Sequence, residues 1–328
     1  MLILQRKKSS KEQGRRFVLL FGRGLIGSAI ERRLSQLGFE AAAEIATSWH
    51  DLGQFKTHLE EARQSLARMD PDGNAEIQLI WAAGSGGFSC GWEQLAQERD
   101  SFSELLSWFL ELGLEGSPAI HYISSAGGLF EGQVLVDEHS VPAPRRPYGK
   151  MKLLQESLLL EAVVGSRVRA RIYRPSTVYG PHRYRQRAGL VSHMLWNAIY
   201  HLPTPLERNV HALRDYVHVS DVANFIAGIV SASGADTHRL FFLVSARPAS
   251  ILEVKNRIER ILMRRVAVRL TAEAGNDADI TFAPTLRPSG WRPLSLEQGL
   301  SWVYRDTLGA FRHINPALLK TPDSDRMA

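Results

Sequence analysis

Apolar positions along the chain come in two patterns, continuous runs and helically spaced stripes. Phe17-Val18-Leu19-Leu20-Phe21 is an unbroken run that ends in Gly22-Arg23-Gly24-Leu25-Ile26-Gly27. Ile26, Ile30 and Leu34 then recur on one helical stripe within a polar stretch that extends to Leu37. This predicts strand, glycine turn and helix. A short strand is expected within 39–47 and a helix within 51–69. Ile77–Ala83 is a second buried-type run, closed by Gly84-Ser85-Gly86-Gly87. A helix over about 93–114, a strand at 119–124, a helix from Tyr148 and a strand at 168–173 follow. Strands alternating with helices predict an α/β fold with a doubly wound parallel sheet. The second half carries more prolines, more arginines and more irregular segments, and reads as a smaller lobe woven into the first domain.

Composition narrows the class. The 328 residues are 44% hydrophobic and 23% charged, ordinary for a globular protein. A single cysteine, Cys90, excludes an internal disulfide and a multi-cysteine zinc site, so no metal is expected. It points to a reducing, cytoplasmic setting. The net charge of +6 raises the question of a polyanionic partner. Residues 1–16 hold six Lys and Arg against Glu12, so five of the six units sit there. Met1-Leu2-Ile3-Leu4 is too short for the apolar core of a signal peptide and precedes the charges. Residues 1–16 are therefore expected to be a disordered basic tail. No apolar run approaches the roughly 18 residues of a membrane span. Neither a membrane nor a nucleic-acid partner is expected.

The glycine loop carries the first chemistry. GxGxxG counts when it follows a strand and opens a helix, as it does here. The glycines permit a tight turn, backbone approach to a pyrophosphate, and close packing of helix on strand. Dinucleotide sites that take NAD place an acidic residue about 20 positions on. Glu44 is the only carboxylate in that stretch and falls early for the expected strand end. Arg23 within the loop suits a 2′-phosphate, and Thr47 and Ser48 add hydroxyls. The cofactor expectation is NADP or NAD, with NADP slightly favoured.

Tyr148 and Lys152 form a YxxxK spacing after Pro147 at a helix start, so they share a face. A phenol ordinarily ionises at about pH 10. An ammonium one turn away favours the phenolate and makes a usable acid–base group. Ser124 and Ser125 end a strand 23 residues earlier, where ligands of such sheets bind.

These motifs, taken in order, resemble the extended short-chain dehydrogenase/reductases, in the NAD-dependent epimerase/dehydratase branch that acts on sugar nucleotides. The likeness runs from residue 17 to about 305. It rests on Gly22–Gly27, Trp81-Ala82-Ala83, Ser124-Ser125-Ala126 and Tyr148 with Lys152. Further support comes from Arg174-Pro-Ser-Thr-Val-Tyr179-Gly180-Pro181, Arg214-Asp215-Tyr216-Val217-His218-Val219-Ser220-Asp221 and Gly290-Trp291-Arg292-Pro293. The resemblance implies a Rossmann-type sheet with an interleaved C-terminal substrate-binding lobe. The division expected is 17–175 for the cofactor domain, with 212–235 returning to it, 176–211 and 236–312 for the lobe, and a flexible 313–328. Tyr148 would be the acid/base, Lys152 would hold the nicotinamide ribose, and Ser125 would orient the reacting carbon, with Ser124 as the fallback. Gly22, Arg23, Gly24, Leu25, Ile26, Gly27, Thr47, Ser48, Ala82, Ala83 and Pro175 would line the cofactor. Ser125, His182, Arg183 and Arg214 would meet a nucleotide-diphosphate sugar. Asp215 and Asp221 read as structural. A homodimer through the helices near 93–114 and 148–162 is the implied assembly.

Departures from the family narrow the activity. The 4,6-dehydratases carry an Asp-Glu pair after the catalytic Ser or Thr, but Ala126-Gly127-Gly128 follows Ser125 here, which disfavours dehydration. The glycine loop and Tyr179-Gly180-Pro181-His182 resemble the GDP-fucose synthases, yet Ala126 stands where their acid/base cysteine falls, and Cys90 is far upstream. The expectation is an NAD(P)-dependent 4-ketoreductase or 4-epimerase of a nucleotide-linked sugar, in polysaccharide or glycan precursor synthesis. The alternative is a non-catalytic NADP(H)-binding sensor or assembly factor on the same scaffold.

Overall fold

The computed structural model describes all residues except 8–13, 50, 85, 88–89, 182–188, 207–208, 233–238, 272–277 and 312–328. Its first half runs β1 (Leu2–Arg6), β2 (Arg16–Phe21), α1 (Leu25–Gln36), β3 (Phe39–Glu44), α2 (Leu52–Met69), β4 (Glu76–Trp81), α3 (Trp92–Glu111), β5 (Ala119–Ile123), the short α4 (Ala126–Leu129), α5 (Pro147–Ala162) and β6 (Arg169–Pro175). The second half runs β7 (Thr177–Tyr179), α6 (Leu190–Ile199), β8 (Thr204–Leu206), β9 (Leu213–Arg214), β10 (Tyr216–His218), α7 (Val219–Ser231), β11 (Arg239–Leu243), β12 (Ala249–Ser250), α8 (Ile251–Leu262), β13 (Val268–Leu270), a 3-10 turn at Pro284–Leu286 and α9 (Leu296–Phe311).

The central sheet has the order β11-β6-β5-β4-β2-β1-β3. From β2 to β11 every pairing is parallel. Both faces are covered, which is why the strands read as continuous apolar runs. On one face Phe17, Leu19 and Leu79 pack with Phe55, Leu59, Phe102 and Phe109 of α2 and α3. On the other, Val18, Leu20 and Ile80 pack with Ile30 and Leu34 of α1 and Val222 and Ile226 of α7. The doubly wound α/β sheet is the Rossmann-type architecture that the alternation predicted.

The segment expected to be a disordered tail is corrected by β1. Leu2–Arg6 enters the sheet antiparallel to both β2 and β3. Ile3 points into one core and Leu2 and Leu4 into the other, so four apolar residues suffice for a strand covered on both faces. The charges around it are paired. Lys7 Nζ lies 2.6 Å from Glu40, Arg15 is 3.0 Å from Asp70, and Arg16 is 2.9 Å from Glu76. Arg6 donates to the Ser231 carbonyl and lies over the Phe39 ring. Of the expected tail, 8–13 lie outside the described residues.

A second correction concerns Arg239–Leu243, expected in the substrate lobe. As β11 it pairs with β6 along its whole length and forms one edge of the large sheet. The lobe proper has its own core, where Val191 and Leu195 of α6 meet Val254 and Ile258 of α8 and Leu300 and Val303 of α9. The expected flexible terminus, 313–328, lies outside the described residues. Among those described, no helix is long and apolar enough to cross a membrane.

Candidate active site

The carboxyl ends of β2, β4 and β5 lie side by side, and the loops leaving them build the site. At β2 the turn is pressed against the end of β4. A Cβ on Gly22, whose φ is +87°, would lie 2.4 Å from Ala83 N and 2.5 Å from the Ala82 carbonyl carbon. A Cβ on Gly27 would lie 1.8 Å from the Gly22 oxygen, so only glycine lets α1 start this close to the strand. Gly24, at the N-cap of α1, has open space on its Cβ side. Leu25 and Ile26 turn into the sheet-facing core. Glycine backbone at an open helix N-terminus, with Ala82 and Ala83 as its wall, is a cradle that suits a diphosphate. Those residues fit a dinucleotide.

Arg23 sits differently from a bare phosphate ligand. Its guanidinium is paired with Glu31 at 2.9 Å and Glu44 at 2.8 Å, and the hydrogen bond it donates to Glu31 is the main reason its pKa is raised further. Glu44 is the last residue of β3, so the sequence reading that placed it early for the strand end is corrected. The intervening β1 moves that strand end about one strand spacing, ~4.8 Å, away from the glycine loop. Thr47 and Ser48 follow β3. Thr47 Oγ1 and the Ile45 carbonyl both accept from the Met1 amino group, at 2.6 Å. Burial lowers that amine to about 6.

Ser125, Tyr148 and Lys152 converge through two glycines. Ser124 N donates to the Tyr173 carbonyl, which ties the end of β5 to β6, and the Ser124 side chain is buried. Ser125 caps α4, its Oγ accepting from Gly128 N at 3.1 Å. The α4 turn then meets the first turn of α5 glycine on glycine. A Cβ on Gly149 would lie 2.1 Å from the Gly128 oxygen, and a Cβ on Gly128 would lie 3.1 Å from Tyr148 Cε1. The Tyr148 ring thus rests on the backbone of the Ser125 turn. One helical turn on, Lys152 is buried, with Nζ 5.9 Å from the Tyr148 ring centre and 5.3 Å from that of Tyr122. Lys150 is exposed and points elsewhere.

Sequence reasoning missed Glu98. Its carboxylate is buried, and Oε1 lies 3.4 Å from Lys152 Nζ. A signal for it existed, since Glu98 falls on the stripe of α3 that carries Leu95, Phe102, Leu105 and Phe109 into the core. Burial, followed by the negative charges of Glu98 and Glu156, pushes the Tyr122 phenol well up.

A cavity of about 240 Å³ opens beside this group. Gly127 and Arg146, next to Ser125 and Tyr148 in sequence, form one side of it, and Tyr179, Arg214, Tyr216 and Phe282 lie among the rest of its wall. Arg214 is held by the carbonyls of Leu213 and Ala278 at 2.8 and 2.6 Å. Arg146 is braced by Glu131 at 2.9 Å. Asp215 accepts from Ser176 Oγ, Ser245 N and Ser245 Oγ, and burial raises its pKa. Asp221 accepts from Leu294 N and is pushed up to about 6 by burial. Both aspartates tie segments together. Pro175 ends β6, buried, one residue before the cavity wall at Ser176. His182 and Arg183 lie outside the described residues. Among the described residues no His, Cys, Asp and Glu cluster could hold a metal.

Residues 93–240 match the model of the NAD dependent epimerase/dehydratase family. No curated protein matches the chain by sequence. Among solved structures, UDP-glucose 4-epimerase from Thermotoga maritima with UDP-glucose aligns at TM-score 0.71 and 18% identity, covering 90% of this chain and 99% of that one. RMD from Pseudomonas aeruginosa complexed with NADPH aligns at TM-score 0.68 and 20% identity, with coverage of 90% and 99%. An NAD-dependent NDP-hexosamine 5,6-dehydratase of tunicamycin biosynthesis aligns at TM-score 0.70 and 19% identity, with coverage of 92% and 98%. At these identities the likeness is one of fold.

Proposed function

We propose, from the match of residues 93–240 to the model of the NAD dependent epimerase/dehydratase family, that the chain is an NAD(P)-dependent 4-ketoreductase or 4-epimerase of a nucleotide-diphosphate sugar. The observation that carries this reading is the packing of Tyr148 and Lys152 against the Ser125 turn, at the sheet edge that also carries the glycine cradle. Bound in the cradle, a nicotinamide cofactor supplies a site that takes or gives a hydride at C4.

The chain supplies the rest. Tyr148 Oη takes the proton of the C4 hydroxyl in oxidation and returns it in reduction. Lys152 holds the cofactor's ribose hydroxyls beside the phenol. Ser125 Oγ, already accepting from Gly128 N, donates its own hydrogen to the C4 oxygen. Arg214 and Arg146 face the substrate diphosphate, where guanidinium forks match phosphate oxygens. The apolar wall at Tyr216 and Phe282 suits the base and keeps water from the reacting carbon.

Dehydration is disfavoured in this reading because Ala126, Gly127 and Gly128 offer no acid to a leaving hydroxyl. The fold is shared with a dehydratase, so these residues decide, and the fold does not. For the cofactor, a 2′-phosphate would displace Glu44 from Arg23, whereas a 2′-hydroxyl would leave the pair closed. Either nicotinamide dinucleotide fits the cradle itself.

Tyr148→Phe tests the assignment. Turnover of nucleotide sugars, followed by chromatography of the products, should fall by roughly 10²–10⁴-fold with the melting temperature unchanged. Turnover close to wild type would defeat it.

A further inference from the structure

Behind the acid–base pair lies a buried charge. Glu98 sits in the apolar stripe of α3, between Leu95 and Phe102, and is almost fully buried. A carboxylate there is costly unless it is paired. It accepts hydrogen bonds from Lys152 Nζ at 3.4 Å and Gln155 Nε2 at 3.5 Å, both on α5. Gln155 is itself fixed, accepting from Tyr122 Oη at 2.8 Å. The loop after β4 closes over the carboxylate. A Cβ on Gly84 would lie 2.9 Å from Glu98 Oε1, and one on Gly86 would lie 3.6 Å from Oε2 and 3.5 Å from Tyr148 Cδ2. Glu98, Lys152 and Tyr148 are therefore one contiguous group.

We infer that Glu98 is a positioning residue: its buried carboxylate fixes the Lys152 ammonium and offsets its charge, so that proton exchange at Tyr148 runs beside a neutral ion pair instead of a bare cation. This rests on the reading of Tyr148 and Lys152 given above. The other charges facing the pair do not substitute for Glu98. On α5, Glu156 is locked to Arg174 of β6 at 2.6 Å, a second neutral pair. From β5 comes Tyr122, held protonated by burial. The loop after β4 brings glycine backbone at Gly84 and Gly86. Removing the charge of Glu98 leaves Lys152 as the net charge nearest the phenol, and a cation there favours the phenolate.

The test compares the full-length wild type with Glu98→Gln, Glu98→Asp and Tyr148→Phe. In the direction where Tyr148 takes the proton, the acidic limb of the kcat profile in Glu98→Gln should move about one pH unit lower. Glu98→Asp, which keeps the charge, should retain the wild-type limb. Without substrate or cofactor, the near-ultraviolet tyrosinate signal that Tyr148→Phe removes should appear at correspondingly lower pH in Glu98→Gln. If Glu98→Gln does not melt cooperatively, the same titration is read on Glu98→Met. Limbs and tyrosinate signals that superimpose on wild type overturn the role of Glu98, while a strong loss in Tyr148→Phe leaves the acid–base assignment standing. Near-wild-type turnover in Tyr148→Phe overturns the assignment beneath it, and the proposal with it.

Discussion

At the scale of single residues, the site depends on atoms that are absent. Gly149 and Gly128 bring α5 onto the Ser125 turn, and no Cβ fits between them. Gly149→Ala would put a methyl 2.1 Å from a backbone oxygen, so the first turn of α5 must move and take Tyr148 with it. Misplacing a catalytic group by about 1 Å costs on the order of 10²-fold in rate. Gly149→Ala should therefore lower kcat by about that factor while the glycine cradle keeps its cofactor affinity, both measured on the purified variant. Unchanged kcat would show that Tyr148 is not placed by this contact. In the sequence the pair was readable only as Tyr148-Gly149 and Gly127-Gly128, without a sign that the two would touch. Glu98 was hidden differently. A carboxylate on an apolar stripe was visible, but its partner, Lys152, lies 54 residues on.

At the scale of elements, long apolar runs and helical stripes gave correct strands and helices, because each run is buried on both faces and each stripe on one. What failed was β1. Met1–Leu4 is too short to signal a strand alone, and the charges after it suggested solvent. Its burial comes from β2 and β3, which are far from it in pattern and adjacent in space. Those charges are largely rim residues with acidic partners. A disordered tail would be dispensable, whereas β1 puts Met1, Leu2, Ile3 and Leu4 in the core. Ile3 is fully buried. Ile3→Ala should cost ~2–5 kcal/mol of unfolding free energy in urea titration. A loss below about 0.5 kcal/mol, the range of surface substitutions, would restore the tail. β11 reads as part of the lobe although Leu240–Val244 is an unbroken apolar run, because nothing in the run itself names β6 as its partner strand.

At the scale of the whole molecule, fold and chemistry separate. The shared fold covers 90% or more of the chain at about one residue in five identical, and it hosts an epimerase and a dehydratase alike. The proposed chemistry rests on a handful of side chains at the carboxyl edge of one sheet. The net charge of +6 fits this picture once its partners are visible. Arg23, Arg146, Arg174 and Lys152 each face a carboxylate, and Arg214 is held by carbonyls at the cavity. Of the basic residues in 1–16 that make the surplus, Lys7, Arg15 and Arg16 face carboxylates, and Lys8 and Lys11 lie outside the described residues.

The central claim is that the protein exchanges hydrogen between C4 of a nucleotide sugar and a nicotinamide ring. Incubating the purified full-length chain with C4-deuterated UDP-glucose or UDP-glucuronic acid and oxidised NAD or NADP tests it directly, with mass spectrometry of the recovered cofactor and sugar. The account predicts deuterium on the nicotinamide, or sugar inverted at C4 that keeps its label through a bound cofactor, and neither in Tyr148→Phe. Sugar and cofactor both recovered unchanged, with either dinucleotide and either sugar, would contradict it.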